Sequence, residues 1–217
     1  VSYVVCPLKT LEEIKSLIDN PCLRGFNVTI PYKKKIIGLL DSLDNEAQQV
    51  QAVNTVKIIR DANGKVQRMI GFNTDVYGFE KSISPLLKPH HNKAIVLGTG
   101  GGAQEVCHVL KKLSINFISV SRTYQQLDSG KVHSHKLIIN ATPLGMFPAV
   151  DGFPEIDYDQ ITKEHLLYDL VYNPAETEFL KKGKQRGAMV RNGLEMLELQ
   201  AERAWEIWRN KRFQIYE

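Results

Sequence analysis

Lys93-Ala94-Ile95-Val96-Leu97-Gly98-Thr99-Gly100-Gly101-Gly102-Ala103 is the stretch that decides the fold. Residues 93–97 read as an apolar strand running straight into glycines, and residues 103–113 follow as a helix. In that context Gly98-x-Gly100-x-x-Ala103 is a dinucleotide-binding pattern. The glycines permit a tight turn and let backbone approach a pyrophosphate, whose charge sits at the helix N-terminus. A glycine-rich turn that only packs helix on strand is the plainer alternative; strand, loop and helix in register favour the dinucleotide. Gly98, Gly100, Gly101, Gly102 and Ala103 are the expected cradle.

The end of the next strand chooses the cofactor. Residues 116–121 form that strand, which closes Ser119-Val120-Ser121-Arg122-Thr123 with no acid before Asp128. A carboxylate there would take the ribose 2′-hydroxyl of NAD, whereas an arginine suits the 2′-phosphate of NADP. Arg122 offers the planar fork, and the Ser121 and Thr123 hydroxyls add hydrogen bonds. The expected cofactor is therefore NADP (NADPH), against the ordinary alternative of a surface arginine.

Further on, residues 136–140 and 166–169 read as strands, the first leading into Ala141-Thr142-Pro143-Leu144-Gly145. A helix is expected to start at Pro174 and end at Gly187, followed by a strand over 188–191. Alternation of this kind implies an α/β fold, a doubly wound, Rossmann-like parallel sheet with helices on both faces. The last helix, 193–209, carries Leu194, Leu197, Ala201, Ala204, Trp205 and Trp208 on one face, and Gln200 falls on that face too. A polar side chain there needs partners from backbone, water or ligand.

Upstream, residues 2–6 read as a β-branched strand. Thr10-Leu11-Glu12-Glu13 is a capping box for a helix striped by Leu11, Ile14, Leu17 and Ile18. Residues 26–30 form a strand halted by Pro31, and helical segments follow at 33–40 and 45–51. Residues 53–60 and 66–72 make a hairpin through Asn63-Gly64, and 75–87 is helical. His90-His91-Asn92 reads as a linker.

Composition excludes several classes. The 217 residues carry 28 Lys+Arg and 24 Asp+Glu, and 43% are hydrophobic, which is ordinary globular chemistry and not disordered or collagenous. A net charge of +4 is too mild to argue for nucleic acid and fits local basic sites for small anions. Three cysteines without a CxxC pair point to a reducing compartment, and no signal peptide or membrane-spanning run is evident, so a cytoplasmic protein is expected. His90-His91 and His133-x-His135 lack further ligands at metal spacing, so no metal is expected, and Cys107 reads as an apolar filler.

Three candidate elements lie outside the glycine loop. Asn27-Val28-Thr29-Ile30-Pro31-Tyr32-Lys33 is a strand ending in a proline turn that would hold Lys33 in place. Asn73-Thr74-Asp75 ends another strand. Taken singly, Lys33 could belong to a solvated helix start, Asp75 could cap a helix, and Asn54 in Ala52-Val53-Asn54-Thr55 could be a turn residue. Beside a dinucleotide fold, the lysine and aspartate suggest a proton donor and its partner for a carbonyl being reduced.

These segments, with Asn140-Ala141-Thr142-Pro143-Leu144-Gly145-Met146 and Gly193-Leu194-Glu195-Met196-Leu197, resemble the signature segments of shikimate dehydrogenases, in the family's order and over nearly the whole chain. The resemblance implies NADPH-dependent reduction of 3-dehydroshikimate to shikimate, a step of aromatic amino-acid (chorismate) biosynthesis. It implies Lys33 and Asp75 as the catalytic pair, and Thr29, Asn54, Tyr172 and Gln200 as substrate residues. Thr142, Met146 and Gly193 would join the cofactor site. It further implies two α/β domains, a substrate domain over 1–85 plus 194–217 and an NADP domain over 86–193, with the C-terminal helix packing back on the first. The small-molecule substrate is then the main partner, for a monomer or homodimer.

Some positions depart from the family pattern. Nothing in residues 1–25 matches its opening Ser-x-Ser segment, and the chain starts at Val1, so a missing N-terminal portion is expected. Residues 123–135 are short for a crossover, so residues may be missing there too. Val76 replaces a usual glycine, Ser121 stands where asparagine often precedes the arginine, and Gln104-Glu105 replaces a basic residue. Two rival functions stay open: an NAD-using quinate/shikimate dehydrogenase, and a non-catalytic dinucleotide-binding homologue.

Overall fold

Residues 2–121 and 127–210 are described by the computed structural model. They divide into two compact units, one running to Thr74 and resuming at Glu202, the other Asp75–Ala201.

In the first unit α1 (Ile14–Ile18) precedes β1 (Gly25–Asn27), β2 (Ser42–Leu43), α2 (Asn45–Val50), β3 (Thr55–Arg60) and β4 (Val66–Phe72). The sheet runs β1-β3-β4-β2, with β1 and β4 antiparallel to β3 and β2 parallel to β4. Gly64, at φ +82°, supplies the left-handed residue that the expected hairpin turn demands. The hairpin's open end pairs Thr55 with Phe72. Val28, Ile36, Ala47, Val53 and Val56 fill the core with Ile14. Asp44 caps α2 through Ala47 N–H at 2.9 Å, and burial pushes its carboxyl up to about 6.

Three expectations in this unit change. Residues 2–6 are not a strand: Tyr3, Val4 and Val5 are exposed, and no described strand pairs with them. β-branched residues favour a strand only where a sheet edge receives them. The capping box does not form; Glu13 is itself the N-cap of a helix beginning at Ile14, and its carboxylate reaches back to Lys9 N–H instead. The segment expected to be helical over 33–40 is a short 3₁₀ turn, Lys35–Leu39.

The second unit contains α3 (Thr74–Ile83), β5 (Lys93–Leu97), α4 (Gly101–Lys112), β6 (Asn116–Val120), α5 (Ser129–Ser134), β7 (Leu137–Asn140), β8 (Leu166–Asp169), α6 (Glu178–Gln185), β9 (Met189–Arg191) and the first half of α7 (Leu194–Arg209). Its five strands are all parallel, in the order β6-β5-β7-β8-β9. Strands β5, β7 and β8 are buried almost end to end, which is why each reads as a continuous apolar run. The expected Pro174 helix start moves to Thr177, whose hydroxyl accepts Leu180 N–H and caps α6. Gly187 (φ +79°) ends that helix region as expected.

α3 belongs to this unit by packing. Phe79 meets Tyr168 edge-to-face at 5.2 Å, the Ser82 and Tyr168 hydroxyls lie 2.6 Å apart, and Lys112 Nζ pairs with Glu80 at 2.7 Å. Burial raises the Tyr168 phenol to about 12, so it stays protonated. The last turns of α7 pack on the first unit's sheet. Trp208 Nε1 donates to Val56 O at 3.0 Å, and buried Lys57 donates to the carbonyls of Ile207 and Asn210 at 2.7 and 2.5 Å. A buried lysine on C-terminal helix carbonyls satisfies groups that have no partner inside the helix. No helix is long and apolar enough to cross a membrane among the described residues.

Candidate active site

The first unit gathers its polar residues at one end of its sheet. β1 ends, β3 begins and β4 ends at this edge, because β3 is antiparallel to both neighbours. Val28 N–H donates to Asn54 O (2.8 Å), Asn54 N–H to Phe72 O (3.1 Å), and Val53 N–H to Lys33 O (2.8 Å). The backbone therefore ties Lys33 to the residue before Asn54. Tyr32 N–H closes a turn on Thr29 O at 2.9 Å, so Thr29 and Lys33 bracket a fixed loop. Thr29 is exposed and Lys33 half-buried.

Asn54 is only 4% exposed, so its amide must be satisfied. Its Oδ1 accepts Thr74 N–H at 2.8 Å and the Thr55 hydroxyl at 3.1 Å, and its Nδ2 donates to Thr74 Oγ1 at 3.0 Å. A carboxamide nitrogen has two hydrogens. The second has no partner among the described residues, so it is available to a ligand oxygen. Asp75 follows directly and lies in the first turn of α3, one position inside the helix rather than at its cap.

In the second unit the sheet order reverses at β5. The chain leaves β5 for β6 on one side, then crosses to β7 on the other, leaving a crevice outside the C-terminal ends of β5 and β7. Gly98 sits there at φ +118°, and a Cβ on it would lie 3.0 Å from Ala141 O. A Cβ on Gly100 or Gly101 would meet nothing within 4 Å. Gly100 caps α4 without a side-chain hydrogen bond, and no acid occupies the first turn. Bare N–H groups, open space beside two glycines and a helix N-terminus fit the pyrophosphate of a dinucleotide.

Around this crevice Thr142 is buried, Ser121 and Met146 are exposed, and Ala103 is buried under the loop. Gly193 N–H donates to Val171 O at 3.1 Å, and any side chain there would strike Leu170 O. Tyr172 is 46% exposed just beyond β8. Gln200 is half-buried rather than buried, with Nε2 donating to Leu197 O at 2.9 Å. The expected apolar face of α7 is also only partly covered: Leu194 and Leu197 are exposed, and Ala204 and Ile207 carry the burial. Gly78 of α3 lets the α7 backbone come close, since a Cβ there would lie 2.5 Å from Met196 O and 3.1 Å from Gln200 Cβ. Gly78 is three residues from Asp75, on the same helix face. Arg122 and Thr123 lie outside the described residues.

Several side chains were not anticipated. Thr74 and Thr55 grip Asn54, and a second buried network joins the expected Thr142 to Asn140, Asp169 and Thr177. Thr142 Oγ1 donates to Asn140 Oδ1 (2.6 Å), Asn140 Nδ2 to Asp169 Oδ1 (2.9 Å), and Thr177 Oγ1 to Asp169 Oδ2 (2.5 Å). Burial pushes the Asp169 carboxyl up to about 6 against those donors. The available signal was a polar residue closing an otherwise apolar strand, at Asn140 and again at Asp169. No group of three or more His, Cys, Asp and Glu suited to a metal occurs among the described residues.

Comparison with known proteins adds four findings. A family model described as the shikimate dehydrogenase substrate binding domain matches residues 1–56. The shikimate dehydrogenase (NADP(+)) of Methanococcus aeolicus is 38% identical over 207 residues, 85% of this chain and 72% of its own. Among solved structures, the shikimate 5-dehydrogenase of Thermus thermophilus, in complex with NADP(H) and shikimate, superposes with TM-score 0.79 at 30% identity, covering 94% of this chain and 79% of that one. The quinate dehydrogenase of Corynebacterium glutamicum, solved with NAD, gives TM-score 0.73 at 29% identity, over 90% and 77% of the two chains.

Proposed function

The chain belongs to the shikimate dehydrogenase family, and from that premise we propose that it is an NADP-dependent oxidoreductase that reversibly reduces 3-dehydroshikimate to shikimate. The observation that carries the reading is the sheet edge of the first unit. There Lys33 is tied by its carbonyl to the residue before Asn54, and Asn54 keeps one buried amide hydrogen for a ligand oxygen.

When bound, NADPH supplies a hydride for the ketone carbon. The residues of the chain then handle the proton and the geometry. As the carbonyl π pair moves onto oxygen, the Lys33 ammonium donates its proton to the forming alkoxide, leaving the alcohol and a neutral amine. The Asp75 carboxylate favours the cationic lysine and so restores it with a solvent proton. In oxidation the neutral amine takes the hydroxyl proton. Thr29, Asn54 and Gln200 hold substrate hydroxyls, and Tyr172 lies by the carboxylate. The pyrophosphate is assigned to Gly98, Gly100, Gly101, Gly102 and Ala103, and the 2′-phosphate to Ser121, Arg122 and Thr123. Thr142, Met146 and Gly193 complete the cofactor's surroundings.

The substrate domain is taken as 1–85 plus 194–217 and the NADP domain as 86–193. Free Cys6, Cys22 and Cys107 support a cytoplasmic location. The protein is proposed to act as a monomer or homodimer, which a sedimentation measurement checks.

The test is a four-way assay of NADPH and NADH against 3-dehydroshikimate and dehydroquinate. Preferential NADPH consumption with 3-dehydroshikimate is expected. NADH consumption with dehydroquinate would instead make the protein a quinate/shikimate dehydrogenase, and no consumption at all would make it a non-catalytic homologue.

A further inference from the structure

We propose that Thr55 is a positioning residue whose hydroxyl fixes the Asn54 amide as a donor toward the substrate. The claim rests on the reading that Asn54 binds a substrate oxygen. A chain of hydrogen bonds running from Tyr3 lies behind Asn54. Tyr3 Oη donates to Asn27 Oδ1 at 3.0 Å, which leaves the Asn27 nitrogen facing inward. That nitrogen uses both hydrogens, one on Asn54 O at 3.1 Å and one on Thr55 Oγ1 at 2.9 Å. Thr55 Oγ1 therefore accepts from Asn27 and keeps its own proton to give, with Asn54 Oδ1 the nearer acceptor at 3.1 Å and Thr74 Oγ1 beyond it at 3.3 Å.

A second donor meets the same oxygen. The backbone N–H of Thr74 can only donate, and it reaches Asn54 Oδ1 at 2.8 Å. Two donors from different segments thus hold the oxygen on the protein side. Turning the amide over would set its NH₂ against the Thr74 N–H, donor against donor, and would take from the Thr55 proton its nearer acceptor. The nitrogen gives one hydrogen to Thr74 Oγ1 at 3.0 Å, an oxygen that also lies 3.2 Å from Asn54 Oδ1, and keeps the other for a ligand. Thr55 is fully buried, so its hydroxyl acts on the protein and touches no substrate. Its consequence for recognition is polarity: the site presents a donor at Asn54 and so selects an acceptor oxygen in its partner.

The experiment compares Thr55→Val, which keeps shape and removes the hydroxyl, with Thr55→Ser, which keeps the hydroxyl. Thr55→Val is expected to raise KM for 3-dehydroshikimate about tenfold, in line with a lost buried hydrogen bond and a loosened amide. KM for NADPH stays within about twofold, and Thr55→Ser returns the substrate KM to within about threefold of the parent. A folded Thr55→Val protein with unchanged substrate KM would overturn the proposal. So would an equal rise in both KM values, or a serine variant that fails to rescue. If Thr55→Val does not fold, Thr55→Ala against Thr55→Ser makes the same comparison. The parent assayed alongside separates the two claims: an inactive parent removes the functional reading and this inference with it, while an active parent with an indifferent Thr55→Val removes this inference alone.

Discussion

The glycine loop after β5 and the polar edge of the first sheet are built in opposite ways. The loop uses backbone. Gly98 takes φ +118°, Gly100 and Gly101 leave the space where side chains would stand, and α4 offers uncapped N–H groups. The sheet edge uses side chains: Asn54 is oriented by Thr55 and Thr74, and Lys33 is carried on a loop anchored by one carbonyl. On the proposed function the backbone site would recognise charge and shape common to many dinucleotides, whereas the side-chain site would specify where one donor hydrogen stands. Damage to the first should therefore be felt as cofactor affinity, and damage to the second as substrate affinity or turnover.

Arg122→Ala should show the largest split on the cofactor side. Loss of a charge-assisted contact to the 2′-phosphate is expected to raise the NADPH dissociation constant about 10–100-fold while leaving NADH within about twofold. Equal losses for both cofactors would remove Arg122 from the 2′-phosphate.

Gly100 and Gly98 sharpen the contrast within the loop itself. A methyl group on Gly100 enters open space at ordinary backbone angles (φ −76°), so Gly100→Ala should fold normally yet raise KM for NADPH about tenfold. Gly98→Ala instead forces a side chain into a left-handed conformation beside Ala141 O, and is expected to lose about 1–3 kcal/mol of stability. Thermal melts beside NADPH titrations distinguish the two. Matching stability losses in both variants would mean that the loop glycines serve packing alone.

The smallest expected effect concerns pH. His91 is buried in the second unit, its Nδ1 accepting Lys88 N–H at 3.0 Å and its Nε2 facing Glu164 O at 3.1 Å, so the fold requires the neutral ring. Burial lowers its pKa, and His165 is lowered for the same reason. Between the folded value and the unfolded value of about 6.5 the unfolded chain binds more protons, so these histidines destabilise the fold as pH drops below that point. Asp44 and Asp169, raised to about 6, act the other way: burying their charged forms costs stability above that pH, and acidification relieves it. His91→Gln should therefore flatten the fall of Tm between about pH 7.5 and 5.5. An unchanged slope would show that His91 takes up its proton as readily in the fold as in the unfolded chain.

The same contrast explains what the sequence disclosed. The parallel strands were legible to within a residue because strands buried on both faces leave apolar runs, and the glycine loop because backbone conformation requires glycine. The hairpin was legible because Asn63-Gly64 names its own turn. Residues 2–6 misled because a β-branched run says nothing about whether a partner strand exists, and Thr10 because Glu13 bonds to Lys9 instead. Pro174 misled because Thr177 competes for the cap while also donating to Asp169. At the sheet edge each of Lys33, Asn54 and Asp75 has an ordinary structural reading, so only their joint resemblance to a family singled them out. The orienting hydroxyls of Thr55 and Thr74 were invisible, since their value lies in distances between segments far apart in sequence.

Lys33 carries the proposed chemistry most directly. Turnover of 3-dehydroshikimate by Lys33→Ala, measured with NADPH binding on the same preparation, separates proton donation from everything the glycine loop does. A positioned acid is worth about 10²–10⁴-fold, so kcat should fall by that factor while the NADPH dissociation constant stays within about twofold. Turnover within severalfold of the parent would contradict the assignment of Lys33 and, with it, the chemistry proposed for the sheet edge.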